Sequence, residues 1–362
     1  DGTMRVLITT PDLTCQGGVA SYYATLGKYL SVDADFFTVG RRQGDHSRLR
    51  MFFRLLCDSW RFWKRVDGTH YDVVHVNPTL SYKAVIRDGL LLLMAQHTGH
   101  RTLVFWRGWS KGFEKGMKRW RLWLFKHIYF RADAMIVLAH DFSERLRHWG
   151  YTRPIYLETT IVDDKSVPEF SQNHRMPEKR RDTNLLFLSR IERGKGVYET
   201  LDAYSLLRER HDEVRLTIAG DGPELAEVKR YAEEKGMRDV HFLGHVTEKR
   251  KLQVFGDAAI YVLPSYSEGM PNSLLEAMAF GLPVVTRPVG GLKDFFKDGE
   301  MGFLTESVDA RVIAGLIEKL IVDSGLRHRI SHYNHEYARR HFVASHGALS
   351  IESIYRDVTQ NV

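Results

Sequence analysis

The chain has 362 residues, 43% hydrophobic and 27% charged, with a formal net charge of +7 and two cysteines. That length suits two domains at roughly 150 residues each, and the composition excludes a disordered or collagen-like chain. The longest apolar stretch, Gly89 to Ala95, falls well short of the roughly 20 residues that span a bilayer, and Cys15 and Cys57 cannot build a disulfide framework or a four-cysteine zinc site.

Asp1-Gly2-Thr3 ahead of Met4 is set aside as foreign to the fold, and no basic, apolar and small-residue leader opens the chain. The expectation is a reduced, cytoplasmic protein. In chain order, strand-like runs at 4–10, 34–40, 71–77, 101–108, 132–139 and 153–159 alternate with helical patterns at 18–30, 48–66, 80–97 and 113–130. A polar stretch from Val162 to Thr183, with Pro168, Pro177 and Lys179-Arg180-Arg181, reads as a linker. The alternation then restarts, with strands at 185–190, 214–220, 240–246, 258–264 and 283–289 and helices at 197–210, 223–235, 247–256, 272–280 and 309–323. Such alternation predicts parallel strands with crossover helices, hence two doubly wound α/β domains. The expected division is 1–165, a linker 166–183, a second domain 184–344, and a terminal helix 345–362 that crosses back to the first domain.

The charge is uneven. Residues 1–165 hold 25 Lys+Arg against 16 Asp+Glu, whereas the remainder holds 27 against 29. A basic first half suits an anionic partner: nucleic acid, lipid headgroups or a phosphorylated substrate.

Ligands of open α/β sheets bind beyond the carboxyl ends of strands, so the loops there carry the argument. Gly17-Gly18 precedes a helix, which fits either a plain turn or close approach of backbone N–H groups to an anion. Arg190 and Lys195, in the glycine-containing loop Ser189 to Gly196, could clamp a diphosphate or form a solvated turn, and the spacing is not that of a Walker loop. Gly220 and Gly222 bracket Asp221 in a third loop. The most informative segment runs Pro264-Ser265-Tyr266-Ser267-Glu268-Gly269-Met270-Pro271-Asn272-Ser273 and on through Glu276 to Gly281. Here an Asn/Ser cap is expected to open a short helix, with Glu268 in the loop and Glu276 about one turn inside. Both carboxylates are expected to face a crevice between the domains, where such groups accept hydrogen bonds from paired sugar hydroxyls while a helix start receives phosphate.

The segment 264–285, with Gly290-Gly291 and the later Asp298-Gly299 and Gly302-Phe303-Leu304, closely resembles the donor half of retaining glycosyltransferases of family 4. The loops at 189–196 and 219–224, the early glycine pair and Asp72 to His75 fit the same pattern. The resemblance implies the GT-B fold, two Rossmann-like doubly wound domains facing each other across a cleft. It implies that Glu268 contacts the donor sugar, that Glu276 holds the ribose hydroxyls, and that Arg190 and Lys195 neutralise the leaving diphosphate. The implied donor-binding set is Gly17, Gly18, Gly220, Val246, Gly269, Met270, Pro271, Asn272, Ser273 and Glu276. No cofactor and no metal are expected, because fixed cations and a helix start would stabilise the leaving group. Arg107 stands where the family often places a His that contacts the donor sugar, and is read as a contact to a different feature of the donor sugar or of the acceptor.

On a helical wheel, Phe113, Met117, Trp120, Leu124 and Ile128 fall on one stripe expected to pack on the sheet. Lys115, Arg119 and Lys126 fall opposite among Leu122, Trp123, Tyr129 and Phe130. Segment 48–65 repeats the mixture, with six cations against Asp58. Aromatics beside cations suit an anionic membrane surface, so peripheral contact at the inner face of the plasma membrane is expected through 48–65 and 111–131. The leading reading is a retaining, metal-independent hexosyltransferase moving a sugar from a UDP- or GDP-linked donor to a saccharide or lipid-linked acceptor in polysaccharide or glycan synthesis. A nucleotide-sugar epimerase would share the fold without the pattern of 264–285, and a nucleic-acid-binding protein would leave that pattern unexplained, so nucleic acid is not expected as a partner. A dehydrogenase lacks its G-x-G-x-x-G, and His97 with His100 has no matched second pair for zinc.

Overall fold

The computed structural model describes residues 3–15, 17–40, 48–168 and 183–360. The chain forms two compact units, Asp1–Ile161 with Ala344–Val362, and Val162–Val343. Most of the linker expected at 166–183, including Lys179-Arg180-Arg181, lies outside the described residues.

The first unit runs β1 (Arg5–Thr10), α1 (Gly18–Leu26), β2 (Asp33–Thr38), α2 (Arg48–Gly68), β3 (Val73–Val76), β4 (Thr79–Leu80), α3 (Tyr82–His97), β5 (Arg101–Phe105), β6 (Gly108–Trp109), α4 (Lys111–Lys115), α5 (Arg119–Tyr129), β7 (Ala134–Val137), α6 (His140–His148) and β8 (Ile155–Leu157). Its main sheet has the order β2-β1-β3-β5-β7-β8, all parallel. Strands covered on both faces read as continuous apolar runs, which is why VVHV and AMIV are buried throughout.

The second unit runs β9 (Thr183–Leu188), α7 (Val197–Arg208), β10 (Val214–Ala219), α8 (Leu225–Glu234), β11 (Val240–Gly244), α9 (Glu248–Asp257), β12 (Ile260–Leu263), α10 (Asn272–Ala279), β13 (Val284–Thr286), α11 (Leu292–Phe295), β14 (Gly302–Leu304), α12 (Ala310–Val322) and α13 (Ser324–His341). Its parallel sheet is ordered β11-β10-β9-β12-β13-β14, the Rossmann arrangement in which strand order reverses between β9 and β12. The last helix, α14 (Ala344–Gln360), belongs to the first unit.

Two expectations need correction. The single helix read over 113–130 is two helices, with Gly116 closing α4 and α5 starting at Arg119. The interruption resets the helical phase, so Phe125 and Tyr129 turn inward while Trp120 and Leu124 of the expected inner stripe are 61% and 45% exposed. Tyr129, expected outward, donates its hydroxyl to Val85 O at 2.8 Å. Helices α6 and α13 and strand β14 were not anticipated. α13 buries the polar Asn334 and His335, which donate to or pair with carbonyls of Leu282, Met301 and Ala279, and a pattern with polar residues on its inner face does not read as a core helix.

α14 is fastened to the first sheet by polar side chains. Tyr355 Oη lies 2.7 Å from His75 Nδ1 in β3, and Glu352 accepts from Ser31 Oγ at 2.8 Å. Burial, reinforced by the positive charge of Arg107, pulls the His75 imidazole down from 6.5 to about 3. The folded chain therefore keeps His75 neutral where the unfolded chain takes up a proton. Its contribution to stability is complete above about pH 6.5 and is lost as pH falls toward 3, at about 1.4 kcal/mol per pH unit. Urea unfolding between pH 7 and 5 should show this slope, and His75→Gln should flatten it; equal slopes in the two proteins would contradict the assignment.

Candidate active site

The reversal of strand order in the second unit sends two loops away from the carboxyl ends of adjacent strands. One, 189–196, follows β9; the other, 264–271, follows β12. Gly196 has φ 78°, and a Cβ there would come within 2.5 Å of Pro264 O, so only glycine lets these loops touch. Tyr266 N then donates to Gly194 O at 2.9 Å. On the far side of the second loop, Gly290 at φ 55° packs on the carbonyls of Glu268 and Gly269, and Gly291 N donates to Gly269 O at 2.8 Å. The Glu268 loop is thus held from both flanks.

Each carboxylate of the spaced pair has a lysine. Lys195 Nζ donates to Glu268 Oε1 at 2.8 Å, with side chains 19% and 11% exposed. Lys251 Nζ, on α9, donates to Glu276 Oε1 at 2.7 Å, with side chains 14% and 18% exposed, and also reaches Glu248 at 3.2 Å. Burial pushes the Glu276 carboxyl upward, against the pull of Lys251. Burial opposes charge on Lys251 too, but the carboxylates of Glu276 and Glu248 outweigh it and hold the ammonium protonated. Sequence reading missed Lys251: in Lys249-Arg250-Lys251 it looks like one more solvated helix cation, and only the packing of α9 turns it inward. Arg190, by contrast, is 68% exposed and pairs with Glu192 at 2.7 Å.

The start of α10 also departs from expectation. Pro271, not Asn272 or Ser273, occupies the N-cap position, and no side chain caps the helix. Ser273 Oγ instead lies 2.7 Å from Tyr261 Oη, whose own proton goes to Leu188 O at 2.9 Å. An opening without a side-chain cap leaves the helix-start dipole available to an anion. Met270 packs against the core of this unit, and Val246 is buried in it. Gly220, at φ 135°, donates its N–H to Gly244 O at 2.8 Å. In the first unit, Gly17 is the N-cap of α1 at φ 152° and Gly18 opens that helix. Arg107 follows β5 in the same unit and is 8% exposed.

A D-x-D triplet, a metal motif not expected here, does occur at Asp33-Ala34-Asp35 on β2. Both carboxylates are engaged: Asp33 with Arg5 at 3.3 Å, and Asp35 with Arg5, Arg65 and the Tyr71 hydroxyl at 3.4, 3.4 and 2.6 Å. Among the described residues, no group of three His, Cys, Asp or Glu side chains could hold a metal ion.

This architecture, two Rossmann-like units with parallel sheets, is that of GT-B glycosyltransferases. Sucrose-phosphate synthase from Thermosynechococcus elongatus superposes with a TM-score of 0.81 at 21% identity, over 99% of this chain and 100% of that one. HepE of Anabaena, in complex with UDP-glucose, superposes with a TM-score of 0.70 at 17% identity, over 98% and 100%. In sequence, residues 168–337 match the family described as Glycosyl transferases group 1. The chain is 31% identical over 313 residues to D-inositol 3-phosphate glycosyltransferase of Corynebacterium jeikeium, covering 81% of this chain and 74% of that protein. It is 27% identical over 261 residues to the capsular polysaccharide biosynthesis glycosyltransferase CapM of Staphylococcus aureus, covering 67% of this chain and 66% of that protein. The chain belongs to the glycosyl transferases group 1 family.

The Lys251–Glu276 pair has a direct test. Lys251→Met strands a buried carboxylate and should lower stability by about 3 kcal/mol, whereas adding Glu276→Gln should restore most of the loss. Denaturant midpoints of the two single variants and the double variant measure the coupling; purely additive losses would show that the two side chains do not act as a pair.

Proposed function

We propose that this chain is a retaining, metal-independent glycosyltransferase of family 4, transferring a hexosyl group from a UDP- or GDP-linked donor to a hydroxyl of a saccharide or lipid-linked acceptor in cell-surface polysaccharide or glycan synthesis. The observation that carries this reading is the pair of carboxylates, Glu268 and Glu276, each held by a lysine beside the strand-order reversal of the second unit. In this reading Glu276 accepts from the ribose hydroxyls and Glu268 from the donor sugar. Gly269 to Ser273, Gly220 and Val246 line the donor, while Gly17 and Gly18 meet its distal phosphate. The HepE complex with UDP-glucose favours a uridine donor.

The acceptor hydroxyl oxygen bonds to the anomeric carbon on the face from which the diphosphate departs. The bond from that carbon to the diphosphate breaks, its electron pair stays with the diphosphate, and the hydroxyl proton passes to a diphosphate oxygen. Arg190 and Lys195 supply the positive charge that meets the developing negative charge, in place of a divalent metal and without a cofactor. No separate carboxylate base is needed.

A thermal-shift panel of UDP-glucose, UDP-N-acetylglucosamine, UDP-galactose and GDP-mannose, with and without EDTA, should give a shift with one donor class that EDTA leaves intact. Glu268→Ala should abolish transfer in a chain that still folds and melts cooperatively. Near-normal turnover of that variant would defeat the site assignment, and a shift that EDTA removes would defeat metal independence.

The reading includes peripheral contact with an anionic membrane at its cytoplasmic face, through 48–65 and 111–131. Its support is a set of large apolar side chains in water: Phe53 and Trp60 of α2 are 64% and 59% exposed, and Trp120 and Trp123 of α5 are 61% and 60% exposed. Helix α3 packs against both α2 and α5, and its Ile86 is 69% exposed. Cations interleave with these residues, as where Lys64 Nζ sits 4.1 Å over the Trp60 ring. Among the described residues no helix is long and apolar enough to cross a membrane. The chain should co-sediment with phosphatidylglycerol vesicles and not with phosphatidylcholine vesicles, and Trp60→Ser with Trp123→Ser should weaken that binding roughly tenfold or more. Equal binding to both vesicle types would contradict the electrostatic part.

A further inference from the structure

One cation beside the two carboxylates has no part in the reaction scheme. Lys251 lies on α9, and its Nζ donates to Glu276 Oε1 at 2.7 Å and to Glu248 Oε1 at 3.2 Å. Helices α9 and α10 meet in register. Lys251 and Phe255 stand one turn apart on α9, as Glu276 and the C-cap Phe280 do along α10. One turn beyond the ion pair, the rings of Phe255 and Phe280 stack with their centres 5.3 Å apart. Phe255 is 1% exposed, so this contact anchors α9 against α10 by apolar packing and needs no charge. It fixes where Lys251 stands. Among the described residues, Lys251 is the one side chain that bonds the Glu276 carboxylate. The Glu276 side chain is 18% exposed, so the carboxylate stays within reach of a ligand.

The last torsion of a glutamate is broad, so a carboxylate without a fixed partner turns through many orientations. An ammonium bonded to Oε1 sets the plane of the group and uses one of its roughly four acceptor sites. Glu248 holds the same Nζ, so the ammonium is itself oriented. The remaining acceptor sites then point in fixed directions, and a pair of neighbouring hydroxyls can be met without first ordering the side chain. We propose that Lys251 is a positioning residue: by fixing the plane of the Glu276 carboxylate, it makes this chain select a ribonucleotide over the deoxyribonucleotide of the same base. This rests on reading Glu276 as the group that accepts from the ribose hydroxyls, and it assigns the selectivity of that contact to Lys251.

The test titrates the full chain calorimetrically with UDP, 2′-deoxy-UDP and 3′-deoxy-UDP, and with GDP and its two deoxy forms. The unaltered chain should bind the ribonucleotide of one base roughly tenfold more tightly than at least one of its deoxy forms. Lys251→Met and the milder Lys251→Gln should each cut that ratio to about threefold or less, and Lys251→Arg should keep most of it. A lysine that only supported the fold would weaken ribo and deoxy forms alike and leave their ratio unchanged. An undiminished ratio in either neutral variant that folds would therefore overturn the proposal, as would equal binding of ribo and deoxy forms by the unaltered chain. Glu276→Gln, titrated alongside, reports the underlying reading separately. If Glu276→Gln loses the preference and the Lys251 variants keep it, the Lys251 assignment alone fails. If Glu276→Gln keeps the full preference, or no nucleotide binds the unaltered chain, the reading of Glu276 falls and the proposal with it.

Discussion

A carboxylate taken out of water needs a cation beside it, and the second unit meets that requirement twice at the end of one sheet. Glu268 is held by Lys195 from the loop after β9, and Glu276 by Lys251 from α9. The first pair depends on the strand order that sets β9 beside β12, because that order brings the loops after those strands together. The glycines follow from the same constraint. Where loops cross at backbone distance, as Gly196 does at Pro264 and Gly290 at Glu268, any side chain would collide with a carbonyl.

Each pair sets a lysine donor beside a carboxylate in a partly buried site. At Glu276, burial pushes the carboxyl upward and Lys251 pulls against it. The first unit handles buried polarity differently. Its His75 stays neutral between Tyr355 and Tyr23, and Arg107 sits on aromatic rings rather than beside a bonded carboxylate.

Much of this was legible in the residues themselves. Runs such as VVHV, AMIV and IYVL are too apolar for strands with a wet face, so parallel sheets with helices on both sides followed from them directly. The spacing of Glu268 and Glu276, and the glycines near them, marked the candidate site without coordinates. Other features were hidden for identifiable reasons. α13 carries its buried polar residues inward to bond carbonyls at Leu282, Met301 and Ala279, which defeats an apolar stripe as a guide. The phase of α5 was misread because Gly116 breaks the helix, so Trp120 points to water and Tyr129 to the core. Ser273 read as a cap, but Tyr261 claims its hydroxyl.

By itself the sequence determined what short-range chemistry controls: the alternation of strands and helices, the loops that must contain glycine, and which residue types stand at strand ends. Only the tertiary structure decided the pairings. Whether Lys251 or another cation of its helix reaches Glu276, and whether a carboxylate reaches Arg107, depends on how helices pack across a sheet. Those distances are set by side chains far apart in the chain, and no local pattern records them.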